Sequence, residues 1–321
     1  MFTYFQSAAG ALLLHAATST FLYGNGRVMG CSSILYNSAA NPSVFNVPVI
    51  AGIALATYAV KAFAPQYVPD YSVVNELAPF GQYTTLIAGL FTGIGTKWGS
   101  GCTSGHMLCG LSRLSIRSLV ATATFSSVAA LTSWYLQTAP AGCGQAGTIA
   151  CHTLSHPSTQ EVYTVIPLVL FEILLSWGIR NHLEVNKYSQ TLVSVFSGTL
   201  FGLGLLISGL ASPSKTLGFL ALVPPKFDPS LTMVIFFGIV PNLVENLIRK
   251  YKLPAGAAVS KMNLPTATAI PPKFVLGAAL FGIGWGLSGI CPGPGIIASF
   301  LNGSQGLLWL AGFFVAYSLA P

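Results

Sequence analysis

Charge is what this sequence holds least of. Its 321 residues include 14 Lys and Arg and 7 Asp and Glu, 7% in all, against about a quarter in soluble domains. With 53% hydrophobic residues and a mean hydropathy of +0.69, so few charges cannot cover a soluble core. A polytopic membrane protein is what remains. No block of like charge occurs, and the Lys and Arg residues sit in short segments beside apolar runs, so the formal +7 is no nucleic-acid signature. No basic residue precedes Arg27. The first apolar run therefore lacks the charged start of a signal peptide and reads as a first spanning helix. No C-x-x-C pair occurs either, which argues against a zinc ribbon or a thioredoxin-like redox motif.

What the chain has is apolar length. Runs at about 6–24, 47–64, 82–98, 116–137, 162–180, 190–208, 229–248, 273–289 and 305–320 are of spanning or near-spanning length, predicting about nine transmembrane helices. Four shorter runs, about 30–38, 104–112, 214–223 and 294–302, each follow a Gly-rich helix end and read as short re-entrant half-helices. The expected fold is thus an all-α polytopic membrane protein, a single integral membrane domain over 1–321.

Returning the half-helices to the side they left gathers Arg27, Lys97, Arg113, Arg117, Arg180, Lys187, Arg249, Lys250, Lys252, Lys261 and Lys273 on one side. The other side takes Asp70, Glu76, Glu161 and Asp228, with Lys215, Lys226 and Lys61. The positive-inside rule places the basic side in the cytoplasm of an inner or plasma membrane, with the N-terminus outside and the C-terminus inside.

The Gly-rich ends repeat. FGLGLLISGLASP (201–213) aligns without gaps on FGIGWGLSGICPG (281–293), 80 residues on; FTGIGTKWGSGCTS (91–104) matches with one extra residue, and YGNGRVMGCSS (23–33) is a shorter relative. Two of these breaks fall on each side of the membrane. The chain divides into an inverted repeat over about 1–140, a linking helix at about 160–182 and a second repeat over about 188–321. Inverted repeats with discontinuous helices place a substrate site where the broken helices meet.

Cysteines mark these breaks: Cys31, Cys102 and Cys291 stand on three of them, and Ala211 holds the aligned place on the fourth. One buried cysteine is ordinarily a small hydrophobe. Three on one repeated feature suggest a path lined by weak S–H donors and polarizable acceptors, suited to a soft sulfur-bearing solute. Half-helix N-termini aimed at the same region favour an anion.

The segment GCTSGHMLCGLSRLSIRSLVATATF, with GLLISGLASPSKTLGFLAL and GIGWGLSGICPGPGI, resembles the YeeE/YedE family of sulfur-compound transporters over nearly the whole chain. The resemblance implies a thiosulfate uptake protein with an hourglass of inverted halves and cysteines along the conducting path. Those cysteines carry over onto Cys102, Cys291 and, through a shorter motif, Cys31, with Ser104 and His106 in the same GCTSGH signature. The implied partners are a small sulfur anion, the lipid bilayer and cytoplasmic sulfur-carrier or sulfurtransferase proteins. No cofactor or catalytic residue is implied, and a transporter of another sulfur or selenium species fits the same resemblance.

Other residues carry open readings. Cys102, His106 and Cys109 would share one helix face, but a fourth ligand and any C-x-x-C pattern are missing, so packing is preferred over a metal site. Cys143 and Cys151 read equally as a disulfide closing a small loop or as two free thiols. Lys215 is the cation best placed to guide an anion at the outer side, and Glu172 and Glu245 are the carboxylates nearest span interiors, candidates for proton coupling. The rival function is a membrane thiol-disulfide oxidoreductase, which needs a reactive pair with Cα atoms about 4.4–6.8 Å apart.

Overall fold

A computed structural model describes residues 1–321 except 73, 75–77, 144–148 and 255–256; Glu76 lies outside the described residues. The described chain is helical, with isolated bridges in place of strands. In order the helices are α1 (Tyr4–Asn25), α2 (Cys31–Ala40), α3 (Val47–Phe63) and α4 (Thr84–Trp98), then a short π-helix (Ser104–Gly110). There follow α5 (Ile116–Leu136), α6 (Thr159–Asn181), α7 (Lys187–Ser208), α8 (Pro213–Leu220) and α9 (Pro229–Arg249). The chain closes with α10 (Pro272–Ser288), α11 (Pro292–Leu301) and α12 (Gly303–Leu319).

Five stretches are long and apolar enough to cross a bilayer: α5, α6, α7, α9 and Pro272–Leu301. The last is two helices, because Gly289 at φ +67 ends α10 before α11 begins. Helices of this length and apolarity make this a membrane protein. α1 is long but carries Ser7, Thr18, Ser19, Thr20 and Asn25 buried along it. It is shielded by protein on most sides, so it does not need an apolar surface.

The breaks follow from local chemistry. α7 ends at Gly209 and α10 at Gly289, both left-handed, a conformation L-residues enter at a cost of about 1–2 kcal/mol. Each break is restarted by proline at the head of the next helix, Pro213 in α8 and Pro292 in α11, where its missing N–H costs nothing. The piece expected as a half-helix at 104–112 is wound as a π-helix over Ser104–Gly110. A second π segment, Ile235–Ile239, interrupts α9 just ahead of Pro241. That proline has no N–H for an i−4 carbonyl, and a local π turn relieves the clash.

α1 packs on α7, α3 on α7, α4 on α10 and α12, and α5 on α10. The α3–α7 contact is close enough that a Cβ at Gly52 would lie 2.2 Å from the Val195 carbonyl oxygen, the small-residue packing that holds helices together in lipid. α6 leans on α1 and turns Leu170, Phe171, Leu174 and Trp177 outward.

The two ends differ in charge. At one end Lys97 donates to the Ala320 carbonyl, Lys273 to the Pro321 carbonyl and Arg117 to the Ala269 carbonyl, while Arg27 pairs with Asn263 in a β-bridge. At the other, Lys215 meets Asp228, Lys226 donates to Gln137, and Gln6 donates to Glu161. These are called the basic and the acidic end below. Met1 and Pro321 lie at opposite ends.

Candidate functional site

Three of the breaks bring their residues together at one place, and a wall of side chains is built there. Ser104, first residue of the π-helix, accepts a hydrogen bond from the Cys31 N–H at 3.0 Å and lies 3.3 Å from the Cys102 thiol. Its neighbour Thr103 donates to the Cys291 sulfur at 3.2 Å. Three cysteines 71 to 260 residues apart in sequence are thereby gathered around one Thr-Ser pair. All are buried, Cys102 completely at 0%.

Two cavities meet at this wall. One, of about 60 Å³, is lined by Cys31, Ser104 and Cys291 among apolar side chains that include Phe201, Trp285 and Val234. The other, of about 290 Å³, lies toward the basic end and is lined by Gly30, Ser32, Gly105, His106, Arg113 and Arg117. Adjacent residues thus face opposite cavities: Cys31 against Gly30 and Ser32, Ser104 against Gly105. A Cβ placed on Gly105 would meet nothing nearer than the Gly30 Cα at 3.9 Å.

His106 pins the break. Its Nε2 lies 2.9 Å from the Gly99 carbonyl and its Nδ1 3.1 Å from the Ser118 hydroxyl. A carbonyl can only accept, so Nε2 carries the proton and Nδ1 accepts from Ser118. Both ring nitrogens are used. Cys109 points its thiol at the Met29 carbonyl, 3.9 Å away, and no group of three metal-ligating side chains occurs among the described residues.

Lys215 is not at the wall. Its ammonium donates to Thr3 Oγ1 at 2.7 Å and the Met1 carbonyl at 3.1 Å, and meets Asp228 at 3.4 Å. It fastens the N-terminal segment to the start of α9. Glu245 is ion-paired with Arg180 at 2.6 Å and Arg249 at 2.7 Å, with Ser19 donating to it and His15 at 3.9 Å. Glu172, on α6, keeps a buried Oε2 that has no hydrogen-bond partner among the described residues. Cys143 and Cys151 form a disulfide in the loop between α5 and α6, where the Cys151 N–H donates to the Pro225 carbonyl.

Several residues of this region escape a reading of the sequence. Asn242 Nδ2 donates to the Leu108 carbonyl at 3.4 Å, and Asn246 Nδ2 to the Ser112 carbonyl at 3.1 Å, so α9 holds the far end of the π-helix. His15 Nδ1 and Tyr23 OH complete the two amides at 2.8 Å each. The available signal is two asparagines four apart on a largely apolar helix, one face by spacing. Thr103, whose hydroxyl reaches Cys291, is visible only as the middle of Cys-Thr-Ser.

An all-helical membrane protein whose broken helices meet between two cavities is the class this geometry defines. Residues 189–320 match a family of unknown function, DUF6691. A Xylella fastidiosa (strain Temecula1) protein named probable transporter is 34% identical over 122 residues, 37% of this chain and 80% of that relative. A second from the same strain, also named probable transporter, is 35% identical over 127 residues, 39% of this chain and 89% of its own length. Strain 9a5c has comparable relatives at 34%. This chain belongs to the same family as these proteins. Since 122 residues make up most of one such relative, each is roughly half as long as this chain.

Proposed function

We propose that this protein is a transporter that takes up thiosulfate, or a closely similar soft sulfur-bearing anion, as its resemblance to the YeeE/YedE family implies. The observation that carries the reading is the wall itself, where Cys31, Cys102 and Cys291 gather about Thr103 and Ser104 between two cavities. Thiols and hydroxyls offer weak donors and polarizable sulfur, which suit the terminal sulfur of thiosulfate better than a strongly hydrated ion. Sites of this kind hold a solute weakly enough to release it to the next.

The architecture in this reading is nine spans with four half-helices, related as two inverted halves about the linking helix α6. The packing supports it: α1–α7 and α4–α10 join corresponding helices, and the α4–α12 contact has its counterpart in α10–α5. Chain ends at opposite ends of the molecule require an odd number of crossings. With the basic end in the cytoplasm, the N-terminus is outside and the C-terminus inside, where a sulfur-carrier protein or sulfurtransferase would receive the product.

A dianion entering against an inside-negative potential costs roughly 2.3 kcal/mol per charge per 100 mV, about 4.6 kcal/mol in all. Uptake therefore needs ion coupling or rapid consumption inside. Glu172, with its unpartnered oxygen, is the better placed carboxylate for a proton, because Glu245 is already neutralised by two arginines.

The test is uptake of labelled thiosulfate into vesicles carrying the protein, beside Cys102→Ala and Cys291→Ala. Loss of uptake in both, with normal insertion, is expected. Undiminished uptake in both would sink the reading.

A further inference from the structure

The cavity on the basic side of the wall differs in kind from its neighbour: where one is lined by apolar side chains and thiols, this one collects arginines and hydroxyls and no carboxylate. Elsewhere buried cations have a carboxylate beside them, Arg180 and Arg249 sharing Glu245 and Lys215 meeting Asp228. Arg113 and Arg117 have no ion pair among the described residues. Arg117 is positioned, with its guanidinium donating to Ala269 O at 2.6 Å and Ser100 Oγ at 2.9 Å and stacked 4.1 Å over Phe274. Arg113 makes no hydrogen bond at all among the described residues, and its Nε is buried without a partner. Ser32, buried, lines the same cavity and brings a hydroxyl to it.

We infer that this vestibule is an anion site for a divalent tetrahedral sulfur oxyanion, held by Arg113 with Arg117 and the Ser32 hydroxyl. An unneutralised guanidinium in a cavity of about 290 Å³ attracts a dianion strongly and, with five donors in a fixed fork, matches oxyanion geometry. The site reads the oxygen end of its ligand, which thiosulfate and sulfate share. Discrimination between the two falls to the thiols of the wall, where only thiosulfate has a soft sulfur to offer. The inference rests on the proposed transport of a sulfur anion but locates a different step: charge capture is separate from sulfur selection.

The experiment is calorimetric titration of the full chain, in nanodiscs of neutral phosphatidylcholine, with sodium sulfate and sodium thiosulfate. Both salts are expected to bind. Arg113→Gln should weaken both at least tenfold, Arg113→Lys, which keeps the charge but not the fork, should weaken both by less than Arg113→Gln does, and Cys102→Ala should leave sulfate binding intact while abolishing thiosulfate uptake. Arg113 is half-buried and unpartnered, so its replacement should not disturb folding, and an unchanged thermal transition checks this. Unaltered sulfate affinity in Arg113→Gln, or no sulfate binding by the unmodified protein, overturns the vestibule site. Neither result touches the transport reading, which falls only if the Cys102 and Cys291 variants transport normally.

Discussion

The Ser104 hydroxyl accepts the Cys31 N–H at 3.0 Å and so joins two half-helices whose residues are 73 apart. This bond closes the wall between the cavities, and it engages the first N–H of α2, which has no partner within its own helix. Ser104→Ala removes the acceptor and leaves that N–H buried and unsatisfied, at a cost of about 1–3 kcal/mol. The expected outcome is a folded protein with a lowered thermal transition and reduced thiosulfate uptake. Ser104→Thr, which keeps the hydroxyl, should recover most of the stability. Equal transitions for the serine and alanine proteins would show that the bond contributes nothing.

Gly105 offers a way to block the path without touching a thiol. Its Cβ direction is open to 3.9 Å, toward Gly30 Cα on the basic side of the wall. Gly105→Leu should insert and melt close to the unmodified protein while losing nearly all uptake. Gly101→Leu makes the contrast: that glycine sits at φ +154, and a Cβ would lie 3.0 Å from His106 Nε2, so the protein itself should be destabilised. A freely transporting Gly105→Leu protein would place the path elsewhere.

Glu245 is expected to be structural. Arg180 is only 9% exposed and Glu245 15%, and removing one partner of such a buried pair costs about 3–5 kcal/mol because the other charge is left uncompensated. Glu245→Gln should therefore yield poorly folded protein. Joint replacement, Glu245→Gln with Arg180→Gln, should recover part of the loss, Arg249 being left without its carboxylate, measured as detergent-solubilised monodisperse yield and thermal transition. Glu172→Gln should leave both unchanged and alter only the pH dependence of uptake.

The breaks were legible because they rest on local chemistry. A glycine that must be left-handed and a proline that can only start a helix announce Gly209–Pro213 and Gly289–Pro292 directly, and the 80-residue offset repeats them. Helix bounds followed within a few residues for the same reason. Pairings across the chain were not legible. Asn242 meets His15 across 227 residues and Lys215 meets Thr3 across 212, and nothing near either residue encodes its partner. Lys215 stands beside a break in sequence, while in space its ammonium meets Thr3 and Asp228. The π winding of Ser104–Gly110 was hidden too, as was the reach of the α9 asparagines to the Leu108 and Ser112 carbonyls.

The disulfide gives a direct measure of orientation. Cys143 and Cys151 are bonded at a separation of eight residues in the loop at the acidic end, where Cys151 is tied to Pro225. The four remaining cysteines are buried, so a bulky maleimide applied to native protein in intact cells should label none of them. After a membrane-impermeant reductant, Cys143 should become the one that reacts, because Cys151 is completely buried. Disulfides persist in oxidising compartments, and labelling from outside would put the acidic end there, the basic end in the cytoplasm and the arginine vestibule on the release side of the wall. Labelling only after the cells are opened would invert the molecule, and the same vestibule would then face the incoming anion.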